Sequence, residues 1–361
     1  MPKPKIMTVV GARPQFVKLA MVSRYLRRDM DEIIVHTGQH YDYRMSRIFF
    51  RELDIPRPDY NLGIGSGTQG YQVGRMLEGI EGLIKKIKPS AVMVFGDTNS
   101  TLAAGLAAAK LCVSILHVEA GMRSYNRKMP EEINRVLTDH LSDVLFCSSR
   151  TGVRNLRKEG ITRNVYNTGD VMVDAALKYS RIADRNSAYI KKFGLTKKSY
   201  LLLTIHRQVN ADSRIHLETI LDALRACGEK TVFPVHPRTA RNMKEFGIET
   251  SSADSNIIFI PPQGYINFIT LLKNARMVLT DSGGVQKEAY VFGVPCVTLR
   301  DETEWIETVK SGWNILVGAN FLRIIRAIRH FKPQGKREQI FGDGRAGLKI
   351  AGMTSRFLEI K

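Results

Sequence analysis

The sequence predicts an α/β protein made of two Rossmann-like, doubly wound domains, and three observations carry that expectation. At 361 residues the chain exceeds the roughly 250 residues at which a single hydrophobic core stops growing. Short apolar runs rich in Val and Ile alternate with stretches of helical periodicity, and unbroken apolar runs between helices belong to parallel sheets covered on both faces. These runs fall into two successive sets, which implies two open parallel sheets.

The first set comprises 6–10, 33–36, 91–95, 114–118, 144–147 and 165–167. The second comprises 200–205, 231–235, 257–260, 277–279, 295–299 and 315–317. The change of set falls after Asp170, where 171–185 reads as a helix and 187–199 as a polar, Lys-rich connection. The expected domains are therefore 1–170 and 171–344, with no low-complexity segment and no short-period repeat in either.

Composition excludes several classes. Lys and Arg outnumber Asp and Glu by 54 to 35, a formal charge of +19 that invites a nucleic-acid or membrane-surface reading. The basic residues are scattered, however, without the aromatic interleaving of a single-strand binder, so neither a nucleic-acid nor a membrane partner is expected. The densest stretch, Arg323, Arg326, Arg329, Lys332, Lys336 and Arg337, starts with helical spacing and reads as a wet helix face. Cys112, Cys147, Cys227 and Cys296 are widely separated and read as buried small hydrophobes in a reducing compartment. The N-terminal apolar run is too short for a signal peptide, and no later stretch approaches the roughly 18 apolar residues of a membrane span, so a cytoplasmic protein is expected.

In open parallel sheets the ligand crevice lies outside the carboxyl ends of the strands, which makes the residues there the candidates for chemistry. GARPQFVK, 11–18, follows the first strand and begins a helix with Pro14 near its first position. Arg13 and Lys18, with bare N–H groups of that turn, suit a phosphate, although the G-x-G-x-x-G spacing of a dinucleotide fingerprint is absent. VFGDTNST, 94–101, ends a strand in Asp97, ordinarily a helix cap. HVEAGMRS, 117–124, ends another in Glu119, and two carboxylates at neighbouring strand ends can have their pKa values pushed apart to serve as acid and base. PEEINR, 130–135, puts Glu131 in a first helical turn, favourable for the helix dipole, with Arg135 four residues on along the same face.

The second half repeats the pattern. TIHRQVN, 204–210, and PVHPR, 234–238, leave His206 and His236 at successive strand ends, without companions at metal spacing, so hydrogen bonding or proton transfer is expected and metal ligation is not. DSGGVQKEA, 281–289, follows the apolar run 277–279 and opens a helix. Gly283 and Gly284 allow backbone N–H groups to approach a diphosphate, Ser282 adds a hydroxyl, and Glu288 suits sugar hydroxyls. Lys287 is expected to face solvent.

The ordered set VVGARPQFVK, GDTNST, HVEAGMRS, PEEINR, IHRQ, PVHPR and DSGGVQKEA resembles the non-hydrolysing UDP-N-acetylglucosamine 2-epimerases over essentially the whole chain. That resemblance implies the GT-B arrangement of two Rossmann domains with a cleft between them, and a C-terminal helix at about 345–361 that packs back on the first domain. It implies a UDP-sugar substrate, no cofactor, no metal, a homodimer, and a product used in cell-surface polysaccharide synthesis. UDP is eliminated across C1 and C2 to give a 2-acetamidoglucal, then re-added with the proton on the opposite face. By matching motifs, Asp97, Glu119 and Glu131 become the catalytic carboxylates, supported by Arg135 and His206. Binding falls to Arg13, Lys18, His236, Gln263, Phe268, Ser282, Gly283, Gly284 and Glu288, with Gln263 and Phe268 at the uracil.

The match departs at Val209, where Glu is usual, at Lys287, which replaces a frequent Glu, and at Trp305, where some bacterial members carry Arg. TGQHYD, LRDETEW and FGDGRA look more like a branch that includes UDP-2,3-diacetamido-glucuronate 2-epimerases. A hydrolysing epimerase, a GT-B glycosyltransferase and a silent nucleotide-sugar sensor remain as alternatives.

Overall fold

The computed structural model describes residues 3–39, 50, 53–185, 188–250, 256–335 and 337–359. The chain divides into two compact units, 1–175 with 339–361 and 176–338, so the division falls inside the helix Val171–Arg185.

The first unit holds a seven-stranded sheet. Its strands are β1 Lys5–Val10, β2 Asp31–His36, β3 Tyr60–Asn61, β4 Ala91–Phe95, β5 Ser114–Ala120, β6 Val144–Cys147 and β7 Val165–Asn167, in the order β3-β2-β1-β4-β5-β6-β7, every pairing parallel. All residues of β4 are buried, as a sheet covered on both faces requires. The helices between the strands are α1 Arg13–Asp29, α2 Gln69–Ile87, α3 Asn99–Lys110, α4 Pro130–Leu141 and α5 Arg150–Lys158, followed by α6 Val171–Arg185. Met7, Val9, Val92 and Val94 of the sheet meet Met76 and Ile80 of α2 and the small residues Ala103, Ala104 and Ala107 of α3 in one core.

The second unit repeats the plan in six parallel strands: β8 Leu201–Thr204, β9 Thr231–Pro234, β10 Ile257–Ile260, β11 Met277–Thr280, β12 Cys296–Thr298 and β13 Asn314–Leu316, ordered β10-β9-β8-β11-β12-β13. Sequential numbering from the middle outward in both directions is the doubly wound order, and it reverses between β8 and β11. Short helices α7 Ala188–Lys191 and α8 Gln208–Ala211 precede α9 Arg214–Cys227 and α10 Pro237–Glu245, and α11 Tyr265–Asn274 and α12 Gly283–Phe292 follow. The unit ends with α13 Ile306–Lys310 and α14 Phe321–His330, which shows Arg323, Arg326 and Arg329 to solvent while Ile324 and Ile328 are buried.

A final helix, α15 Ala346–Glu359, lies in the first unit. Its first turn would leave backbone N–H groups without acceptors. The buried Asp174 supplies them, accepting from Ala346 at 3.0 Å and Gly347 at 2.8 Å. Among the described residues, no helix is long and apolar enough to cross a membrane. Cysteine behaviour departs from expectation: Cys147 and Cys296 are buried, but Cys227 is half-buried and Cys112 is exposed, at φ +55 in the turn after α3.

Replacing Asp174 with Ala removes both acceptors from the start of α15 and is expected to destabilise the first unit by about 1–2 kcal/mol. Urea unfolding followed by a probe in that unit measures this, and an unchanged midpoint would show that the helix is held by its apolar face alone.

Candidate functional site

In the first unit, β4 and β5 are adjacent and in register, Phe95 opposite Val118, so the chain positions that follow them lie side by side. Asp97 follows β4 and Glu119 lies near the end of β5. The pairing of β5 with β6 shifts between Val118 and Ala120, and Glu119 itself sits at φ +72. A non-glycine residue in that left-handed region costs about 1–3 kcal/mol, and such bulges re-aim a side chain. The Glu119 carboxylate pairs with the ammonium of Lys18, which reaches it from α1. A Cβ on Gly96 would come within 3.0 Å of Lys18 Nζ and 3.1 Å of Glu119 Oε2, so the ion pair rests directly on the Gly96 backbone.

Asp97 pairs with Arg135 of α4, which also meets Glu132 at 3.1 Å. Arg135 is 2% exposed and Asp97 33%, so the cation is sealed in while the carboxylate remains open to a ligand. Asn134 Nδ2 fixes the backbone of the same turn by donating to the Asp97 carbonyl at 3.0 Å. Glu132 faces inward, accepting from Ser124 N and Oγ at 2.9 Å and from Tyr125 N at 2.8 Å, and so holds the loop that precedes α4. Glu131 is half-buried on the same helix.

Behind these strand ends lies a buried layer. Asp139 Oδ1 is 2.7 Å from His117 Nδ1, His117 Nε2 is 2.7 Å from the Gly96 carbonyl oxygen, and Asp139 Oδ2 accepts from Gly121 N at 3.0 Å and Arg123 Nη1 at 2.6 Å. Arg123 continues to Glu159 through Nε and Nη2, each at 2.7 Å. Despite burial, which pushes the other way, His117 and Arg123 hold the Asp139 carboxyl below its ordinary value. Likewise, burial pulls the Arg123 guanidinium down but Glu159 and Asp139 raise it further, so it stays charged.

In the second unit the organising group is Asp281, which is fully buried at the end of β11. It accepts from His206 N at 3.1 Å, Arg207 N at 3.1 Å and Asn210 Nδ2 at 3.3 Å, and meets His206 Nδ1 at 3.0 Å. Burial opposes its ionisation, yet His206 and the two backbone N–H groups keep its carboxyl below the usual range. His206 Nδ1 is committed to this carboxylate, and the His206 side chain is 37% exposed. The His206 and His236 rings lie 5.8 Å apart, and His236 accepts from Arg238 N at 3.2 Å, capping α10.

Ser282 is the cap of α12, and Gly283 opens it against Glu304 and Trp305. A Cβ on Gly283 would come 2.6 Å from Glu304 Oε1 and 2.9 Å from Trp305 Nε1, so a methyl group there requires those side chains to shift. The first turn of this helix offers N–H groups to an anion. Glu288 is buried, Gly284 and Phe268 are half-buried, and Gln263 is hydrogen-bonded to the Tyr189 hydroxyl. Glu304 is flanked by Arg300 at 3.0 Å and Arg207 at 3.6 Å.

Three expectations need correction. The N–H groups of Gly11 and Ala12 do not stand bare: both donate to Gln15 Oε1, at 2.8 and 2.9 Å, which ties the turn to its own helix. Lys287 does not face solvent; it is 2% exposed with its ammonium 3.8 Å above the Trp305 ring, an attraction that compensates its burial. Cys112 and Cys227 are not the buried hydrophobes expected of them. The side chain of Arg13, and His40 and Lys336, lie outside the described residues. Among the described residues, no group of three or more His, Cys, Asp and Glu side chains is placed to hold a metal ion.

The residues that sequence reasoning passed over are His117, Arg123, Glu132, Asp139 and Asp281. A signal existed for two of them: Glu132, Arg135 and Asp139 recur at spacings of three and four, a charged stripe on the inward face of α4.

Because the folded state holds Asp281 below its ordinary pKa, its stabilising contribution is complete above the unfolded value of about 4 and is lost as pH falls through the folded one. Asp281→Asn is therefore expected to lower the urea midpoint at neutral pH and to lessen the further fall as pH drops below about 4. A parallel fall in both proteins would remove Asp281 from the acid sensitivity of this unit.

Comparison with known proteins agrees with this architecture. Residues 24–355 match the family model described as UDP-N-acetylglucosamine 2-epimerase. A UDP-N-acetylglucosamine 2-epimerase homolog of Methanococcus maripaludis is 51% identical, covering 96% of this chain and 98% of that protein. The UDP-2,3-diacetamido-2,3-dideoxy-D-glucuronate 2-epimerase of Pseudomonas aeruginosa is 46% identical, with 96% and 98% covered. The crystal structure of Methanocaldococcus jannaschii UDP-GlcNAc 2-epimerase, in complex with UDP-GlcNAc and UDP, is similar at a TM-score of 0.92 and 43% identity, with 98% of this chain and 99% of that one covered. The chain is a member of the UDP-N-acetylglucosamine 2-epimerase family, a family of isomerases built on two Rossmann-like domains.

Proposed function

We propose that the protein interconverts UDP-N-acetylglucosamine and UDP-N-acetylmannosamine by eliminating and re-adding UDP. The observation that carries this reading is the pair of carboxylates at neighbouring strand ends, Asp97 and Glu119, each beside its own cation, Arg135 or Lys18. A proton on C2 of an acetamido sugar is weakly acidic, so its removal calls for a positioned base, and inversion calls for a second group that returns a proton to the other face. Two carboxylates with separate cationic partners suit that division of labour.

In the proposed reaction a carboxylate takes the C2 proton, the C1–C2 double bond forms, and the C1–oxygen bond breaks with its electron pair leaving on UDP. In the return direction a UDP oxygen attacks C1 of the 2-acetamidoglucal while a proton is delivered to the opposite face of C2. Asp97, Glu119 and Glu131 are the proposed catalytic carboxylates, with Arg135 holding Asp97 and His206 assisting through Nε2. UDP is the leaving group and then the nucleophile, so its charge must be stabilised in both directions. Ser282, Gly283 and Gly284 at the start of α12, with Arg13, Lys18 and His236, are the proposed diphosphate contacts. Glu288 is assigned to the ribose, and Gln263 and Phe268 to the uracil. No cofactor or metal enters the reaction. We assign the protein to the cytoplasm as a homodimer, its product serving cell-surface polysaccharide synthesis.

A second substrate, UDP-2,3-diacetamido-2,3-dideoxy-D-glucuronate, is favoured by the Pseudomonas aeruginosa relative and by the LRDETEW and FGDGRA stretches. The same elimination serves both sugars.

Incubation with UDP-N-acetylglucosamine in deuterated water is expected to yield the manno epimer carrying deuterium at C2. Asp97→Asn is expected to lower that exchange by about 10²–10⁴-fold, the usual contribution of a general acid or base. Exchange with the diacetamido-glucuronate sugar alone selects the second substrate, and no exchange with either sinks the epimerase reading. Gly283→Ala is expected to weaken UDP binding by at least about tenfold, because its methyl group collides with Glu304 and Trp305 at the mouth of the helix. Unchanged affinity in a titration would move the diphosphate elsewhere.

A further inference from the structure

We infer that Asp139 and His117 form a positioning pair that sets both catalytic strand ends of the first unit. The inference rests on the proposed function in one respect: Asp97 and Glu119 are taken as the groups being positioned.

The geometry is that of one carboxylate reaching two turns. Asp139 Oδ2 accepts the Gly121 N–H at 3.0 Å, two residues beyond Glu119. Asp139 Oδ1 is joined through the His117 ring to the Gly96 carbonyl, one residue before Asp97, by contacts of 2.7 Å on each side of the ring. The two turns are also tied directly, Gly96 N donating to Val118 O at 2.9 Å. Glu119 is thus pinned on both sides of its left-handed residue, which is how a strained backbone conformation persists. A Cβ on Gly121 would come 2.9 Å from the Gly152 Cα, so α5 closes the same turn from below.

What faces the ring fixes its place. Nε2 meets a peptide carbonyl, and Nδ1 meets a carboxylate that already receives Arg123 and Gly121. In spite of burial, His117 and Arg123 hold the Asp139 carboxyl below its ordinary value, so it serves both turns as an acceptor.

The pair touches no substrate in this scheme; it acts through the backbone of the residues that do. Displacing a reacting group by about 1 Å costs on the order of 10²-fold in rate.

Two measurements test the inference. Asp139→Asn keeps the shape but removes the charge, and it is expected to lower kcat for C2 exchange about 10²-fold while UDP affinity stays within about threefold of the parent. A kcat equal to the parent's, or an equal loss of UDP affinity, overturns the positioning role. Proton NMR of the unsubstituted protein needs no variant to fold: a slowly exchanging, downfield His117 ring N–H is expected, as a hydrogen bond to the buried Asp139 carboxylate requires. Absence of that resonance overturns the link between His117 and Asp139. Absence of turnover by the unsubstituted protein counts against the epimerase reading, whereas the NMR result answers for the pair independently of any substrate.

Discussion

Each of the two sheets depends on one buried aspartate. Parallel strands end in loops whose N–H and C=O groups have left the ladder, and those loops must be held by something other than the sheet. Asp139 in the first unit and Asp281 in the second do this by the same means: a carboxylate sealed from water meets one ring nitrogen of a histidine and accepts from strand-end backbone N–H groups, one for Asp139 and two for Asp281. The cost of burying each charge is offset by the donors converging on it, and removing either would leave several orphaned donors at once. The difference between the two lies in the histidine. His117 is fully buried and points its far nitrogen at a backbone carbonyl, whereas the His206 side chain is 37% exposed.

That difference divides scaffolding from chemistry. In the first unit Asp97 is 33% exposed beside an Arg135 that is 2% exposed, whereas Glu119 and Lys18 are both nearly sealed. A buried cation beside a partly exposed carboxylate fixes the direction in which that carboxylate points. In the second unit the outward-facing groups are an imidazole and the start of α12, suited to an anion.

The fold was legible because parallel sheets write themselves as apolar runs. All twelve runs read from the sequence overlap strands, and among the described residues the one strand missed, Tyr60–Asn61, is two residues long and too short to show a pattern. The strand-end motifs were legible for the same reason, since the last apolar residue marks where a ligand crevice begins. What the sequence hides is partnership. Lys287 reads as a surface lysine until Trp305, eighteen positions later, is seen beneath its ammonium. Gly11 and Ala12 read as bare donors until Gln15 folds back onto them. Asp139 sits inside an ordinary helical pattern, and only the tertiary arrangement reveals that it reaches two turns of the sheet, one of them through His117.

The central claim is that the bond between C1 and UDP breaks and re-forms during epimerisation. UDP-N-acetylglucosamine labelled with oxygen-18 in the position bridging C1 and the β-phosphate tests it most directly, because a freed diphosphate can rotate and exchange that oxygen with its non-bridging neighbours. The account predicts that label appears in the non-bridging positions of recovered UDP-sugar as epimerisation proceeds. Epimerisation to equilibrium with the label still wholly at the bridge would contradict it.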